Sequence, residues 1–102
     1  MAIQNTALTT TATAIYTSTG DSATTVMHFC NYADNGATAN VWIVPSAGTP
    51  GSNNIVYSNV ALTAQNTLVV DTEKIILSNG DAIYANVSVD NSVTATVSYI
   101  GI

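Results

Sequence analysis

Between Ile83 and Tyr99 the chain alternates apolar and polar side chains twice over, on either side of a turn signal. Ile83, Ala85, Val87 and Val89 alternate with Asn86 and Ser88, and Val93, Ala95, Val97 and Tyr99 alternate with Thr94, Thr96 and Ser98. A period of two places each apolar set on one face of an extended strand and is incompatible with the apolar stripe of an amphipathic helix. Asp90-Asn91-Ser92 between the runs is turn chemistry, so the pair reads as a hairpin with one face buried.

The rest of the chain repeats such segments at a spacing of roughly ten residues. Residues 12–19 (ATAIYTST) are β-prone and stop at Gly20-Asp21, and residues 24–30 (TTVMHFC) end in Asn31. The Asn35-Gly36 step that follows favours the positive φ angles of a tight hairpin turn. Residues 40–44 (NVWIV) are apolar on both faces, the mark of a central strand covered twice, and Pro45 ends them because proline cannot donate to a ladder. Residues 46–54 (SAGTPGSNN) form the longest loop. Residues 55–64, 67–71 and 74–77 supply further strands, with a break near Ser58-Asn59 and a second turn signal at Asn79-Gly80-Asp81.

No segment has a convincing helical period. About seven or eight strands give an all-β chain, an antiparallel β-sandwich of which the jelly roll is one form. Residues 1–10 have weak periodicity and read as an N-terminal arm or an added edge strand, and residues 11–102 as a single sandwich domain. A chain of 102 residues suffices for one core.

Charge narrows the function. Only 7% of residues are charged, against about a quarter in an average domain. Lys74 is the one basic side chain, and Asp21, Asp34, Asp71, Glu73, Asp81 and Asp90 bring the net charge to −5. Neutralising nucleic-acid phosphates takes several Lys or Arg, so no nucleic-acid partner is expected. The apolar runs fall far short of the roughly 20 residues that cross a bilayer, so no membrane partner is expected either. The N-terminal MAIQNTALTT lacks the basic and apolar regions of a signal peptide, and the lone Cys30 cannot form a disulfide within the chain. Both features suit synthesis in a reducing cytoplasm.

Chemistry-bearing residues are few. His28 lacks the second His or Cys that a metal site or a catalytic pair needs, and reads as a hydrogen-bonded side chain in or near the core. Cys30 shares its strand face and reads as a small core filler. The serines form no G-x-S-x-G elbow. Asp71-Thr72-Glu73 with Asp81, Asp34-Asn35-Gly36 and Asp90-Asn91-Ser92 are fragments of calcium loops at best, and Asp and Asn are also what turns use. No catalytic, cofactor-binding or metal-binding residue is therefore assigned.

Tyr16, Tyr32, Trp42, Tyr57, Tyr84 and Tyr99 could build a stacking platform or anchor an interface. Trp42 lies in the most apolar strand and is expected in the core. Tyr16 and Tyr84 fall opposite the better core positions of their strands, which makes them the interface candidates. The strands themselves carry Thr, Ser and Val with almost none of the charges that guard exposed sheet edges. Homo-oligomerisation, or docking on a larger β-rich partner, would cover them.

Taken in order, these blocks resemble a known group. Ile15-Tyr16-Thr17-Ser18-Thr19-Gly20 leads to a strand ending in Asn31, and Val41-Trp42-Ile43-Val44-Pro45 precedes a Gly-rich loop. Leu77-Ser78-Asn79-Gly80-Asp81-Ala82-Ile83-Tyr84-Ala85 and a final Val93-Thr94-Ala95-Thr96-Val97-Ser98-Tyr99-Ile100-Gly101-Ile102 follow. From Ile15 onward the chain resembles small β-sandwich virion proteins of tailed bacteriophages, found as capsid decoration (cement) proteins and as tail- or fibre-associated proteins. The resemblance implies a non-enzymatic structural role in the virion, assembled in the host cytoplasm. The partners it implies are the major capsid protein, other virion proteins and further copies of the chain. A chain that starts at Met1 favours decoration over a module of a long fibre. The alternative is a tail, fibre or baseplate protein that binds host-surface glycans or organises the tail, to which the loop at 46–54 and the tyrosines would contribute.

Overall fold

A computed structural model describes residues 2–70 and 75–102. In chain order the strands are β1 (Ala2–Ala7), β2 (Thr13–Thr17), β3 (Ser22–Asn31), β4 (Ala37–Val44) and β5 (Ile55–Leu62). They continue with β6 (Thr67–Val70), β7 (Ile76–Leu77), β8 (Ala82–Val87) and β9 (Val93–Gly101). Among the described residues there is no helix. The strands form two antiparallel sheets, β1-β9-β3-β6 with β7 also on β3, and β2-β8-β4-β5. We call these sheet A and sheet B.

The partners are nested. β4 pairs with β5, β3 with β6 and β7, β2 with β8, and β1 with β9. Counting β6 and β7 as one interrupted strand, this is a long double strand folded over into two sheets, the connectivity of a jelly roll. The chain is thus an antiparallel β-sandwich. Ala2–Ala7 forms its β1 edge.

Two turn expectations are overturned by this topology. β8 and β9 do not pair as a hairpin, because β8 lies between β2 and β4 in sheet B while β9 lies between β1 and β3 in sheet A. Alternation sets which face of a strand is buried and says nothing of its neighbour, and both strands point their apolar sets at the same core. β3 and β4 likewise lie in opposite sheets, so Asn35-Gly36 closes no hairpin. Positive φ among the described glycines is confined to Gly20 (70°) and Gly80 (89°). Gly80 fulfils the Asn79-Gly80 signal, and any side chain there would also strike the Ser46 hydroxyl.

The core lies between the inner faces. Met27, Phe29, Val93, Ala95 and Val97 of sheet A pack against Ile15, Ala39, Val41, Ile83, Ala85 and Val87 of sheet B. Phe29, wholly buried, has Ala95 and Leu68 as cross-strand neighbours, and the small Ala95 leaves room for the ring. Polar groups inside are matched. The Tyr16 hydroxyl donates to Ser22 Oγ at 2.9 Å, and Ser18 Oγ lies 2.6 Å from Ser22 Oγ. Among the described residues no buried side-chain polar atom lacks a hydrogen-bond partner.

Candidate protein-binding surface

Not one strand contains Asp, Glu, Lys or Arg. The described charges, Asp21, Asp34, Asp81 and Asp90, all sit in turns, while Asp71, Glu73 and Lys74 lie outside the described residues. Three of these carboxylates hold the turns together. Asp81 accepts from the Ser46 and Ser78 N–H groups, Asp90 from the Thr10 N–H, and Asp34 from the Gln65 side chain. A carboxylate satisfied by backbone N–H groups is built into the fold, which is the ordinary work of Asp in turns. Among the described residues no three His, Cys, Asp or Glu side chains gather as a metal site would need.

With the described charges confined to turns, no described strand residue on either broad outer face is charged. On sheet A the cross-strand rows can be read from the register. Ile100, Ala23 and Ile76 form one row, Ile3, Ser98 and Val26 a second, and Asn5, Thr96, His28 and Val69 a third. Ile3 is 65% exposed and Ile76 72%, with Val69 and Ile100 also exposed. Large aliphatic side chains thus stand in water on four different strands of one face. Large contiguous exposed apolar patches mark interaction sites, whereas singly scattered residues do not, which makes this face a candidate.

His28 and Cys30 share this face, half-buried, as their spacing requires. Cys30 is therefore not the expected core filler; its strand turns Phe29 and Asn31 inward instead. His28 lies between Thr96 of β9 and Val69 of β6.

The outer face of sheet B is organised differently. Tyr84 neighbours Trp42 on one side and Ala14 on the other, and Ile55 follows Trp42, giving one row across all four strands. Beside it runs a polar row, where Asn40 Nδ2 donates to Asn86 Oδ1 at 3.0 Å and Asn59 N–H donates to Asn40 Oδ1 at 2.8 Å. Trp42 is half-buried in this outer row and not in the core as expected. The inward positions of its strand are taken by Ala39, Val41 and Ile43.

Of the two interface candidates, only Tyr84 lies on the outer surface. Tyr16 is 4% exposed, with its ring 4.2 Å from that of Tyr99. A β-bulge between Ala14 and Tyr16 is the cause: it interrupts the alternation, so that Ile15 and Tyr16 both face the core. A bulge leaves no signature in the spacing of apolar residues. The exposed aliphatics of sheet A were missed for another reason. Ile3, Ile76 and Ile100 lie in segments whose alternation is too short or too mixed to assign a face.

Between the open sides of the sheets, Ile43, Val56, Tyr57, Val70 and Ile75 line an apolar cleft of about 170 Å³. Of these lining side chains, only Tyr57 carries a polar group. Compared with protein-family models, curated proteins and solved structures, the chain matches none.

Proposed function

We propose that the chain is a non-enzymatic virion structural protein, a capsid decoration protein that packs a neutral sheet face against the major capsid lattice. The observation that carries this reading is the absence of charged side chains from the described strands. Every described charged group sits in a turn, and the outer face of sheet A presents Ile3, Val69, Ile76 and Ile100 to solvent. Such a surface gains free energy by being covered, at about 25 cal/mol per Å² of apolar area removed from water. The resemblance of its block order to phage virion proteins suggests the particle to which it would bind.

The test is co-sedimentation with expanded empty capsids of the phage that encodes the chain. Binding at copy numbers comparable to the capsid subunits supports decoration. No binding to any virion surface contradicts it. A second reading is favoured by the Trp42–Tyr84 pair on sheet B, an aromatic platform of the kind that stacks sugar rings, and belongs to a tail or fibre protein. Copy number separates the two, because tail components occur in far fewer copies than capsid subunits.

A further inference from the structure

Three of the four sheet edges are irregular. β5 has two register shifts against β4 and a left-handed residue, Asn59, at φ 51°. β2 is five residues long and bulged, and β6 and β7, on the remaining edge of sheet A, pair with β3 in different registers, Met27 opposite Val70 but Ala23 opposite Ile76. Irregular or short edges resist strand addition. β1 has none of these features. Its six residues pair with β9 without a shift, from Ala2↔Tyr99 to Ala7↔Thr94, and it contains neither charge nor proline.

The open groups of β1 follow from the ladder. The Leu8 N–H donates to the Val93 carbonyl at 2.9 Å, which makes Leu8–Val93 a hydrogen-bonded pair. Such pairs alternate in an antiparallel ladder. Thr6, Gln4 and Ala2 therefore bond to β9, while Ile3, Asn5 and Ala7 direct their N–H and C=O groups to the open edge.

We propose that β1 pairs with β1 of a second copy of this chain, antiparallel about a two-fold axis at Asn5. In that register Asn5 opposes its own counterpart, and Ile3 opposes Ala7 on each side. Every outward N–H then meets an outward C=O, and both copies keep Ile3 and Asn5 on the same face, so the two A sheets continue as one. Centring the axis on Gln4 instead pairs only Ile3 with Asn5 among these residues.

A second copy offers the same three open residues in reverse order, so about the Asn5 axis all of them pair at once and none is left over. Charge also permits it, because neither β1 nor its neighbour β9 carries a charged side chain although each copy is at −5. Two six-residue edges cover less than the roughly 800 Å² per partner of a standard interface, so the dimer depends on concentration. The inference deepens the packing role proposed above and rests on the same neutral surface. Self-association is measured without capsids, so either can fail alone.

The test is sedimentation velocity over a concentration series, with residue-resolved amide exchange on the full chain. The mass should double at high concentration, and the Ile3, Asn5 and Ala7 amides should slow about tenfold or more while Gln4 and Thr6 hold their existing protection. Asn5→Pro removes an outward N–H and no bond to β9, forfeiting only the bond its side chain accepts from Thr96 Oγ1. It should melt close to the parent and stay monomeric. Asn5→Lys, which sets like charges across the axis, should also stay monomeric, and keeps the test valid where proline disturbs the strand. A chain monomeric at every concentration overturns the proposal. So does a dimer whose Ile3, Asn5 and Ala7 amides exchange as in the monomer, or an Asn5→Lys dimer of undiminished strength.

Discussion

Asn31 ends β3 inside the protein, fully buried, and ties three segments together. Its Nδ2 donates to the Asn35 carbonyl and to the Leu62 carbonyl, both at 2.9 Å, and its Oδ1 accepts from the Ala33 N–H at 3.1 Å. It thereby shapes the crossing from sheet A to sheet B and anchors the end of β5. Asn31→Ala removes all three bonds, at about 1 kcal/mol net for each. It also leaves the Leu62 carbonyl without this buried donor, which adds about 1 kcal/mol or more. A loss of about 4 kcal/mol corresponds to a fall of about 16–32 °C in melting temperature for a domain of this size. Asn31→Asp keeps the volume but turns an oxygen toward two carbonyl oxygens, so at neutral pH it should be destabilised at least as much. Thermal and urea unfolding measure both. If Asn31→Ala melts within about 2 °C of the parent, or Asn31→Asp proves clearly the more stable variant, the amide does not organise this crossing.

Tyr16→Phe deletes the bond to Ser22 but leaves the ring against Tyr99, and should cost about 1 kcal/mol in urea unfolding. Gly80→Ala combines φ 89° with a Cβ placed 2.5 Å from Ser46 Oγ, whereas Gly20→Ala at φ 70° meets nothing within 4 Å. Gly20→Ala should cost about 1 kcal/mol and Gly80→Ala clearly more, with Ser46→Gly recovering part of the difference in the double variant. His28→Ala, on the outer face of sheet A, should leave stability within about 0.5 kcal/mol. A hydrolytic activity lost in that variant would contradict the non-enzymatic reading.

Much of this architecture is visible in residue order, because alternation and turn chemistry act locally. The all-β sandwich follows from strands such as Val93–Gly101, in which period two survives over four inward-facing positions, Val93, Ala95, Val97 and Tyr99. What local pattern cannot express is partnership. The runs at Ile83 and Val93 look like one hairpin, yet they lie in different sheets because each finds its partners among β1 to β4. Tyr16 and Trp42 each lie on the side opposite to the one their sequence position predicts, for a structural reason. A bulge turns Tyr16 inward, and Trp42 occupies the outward phase of a strand apolar on both faces. Asn31 reads only as the end of a strand and is a buried clasp, since its partners lie as far away as Leu62. The neutrality of the surface was legible from composition. The placing of the described charges in turns becomes visible only once the strands have boundaries.

The account stands on the claim that the uncharged outer face of sheet A is a protein-binding surface. Co-sedimentation of the parent and Ile76→Lys with expanded empty capsids, at low and high salt, tests it most directly. Contact through a neutral face should survive an increase from about 0.1 M to about 1 M salt, because there is little charge to screen. Ile76→Lys, at a position 72% exposed in the free chain, should fold normally and bind at least about tenfold more weakly, the cost of burying an unpaired ammonium. Failure of the parent to bind, or binding that salt abolishes and Ile76→Lys leaves intact, would contradict the claim.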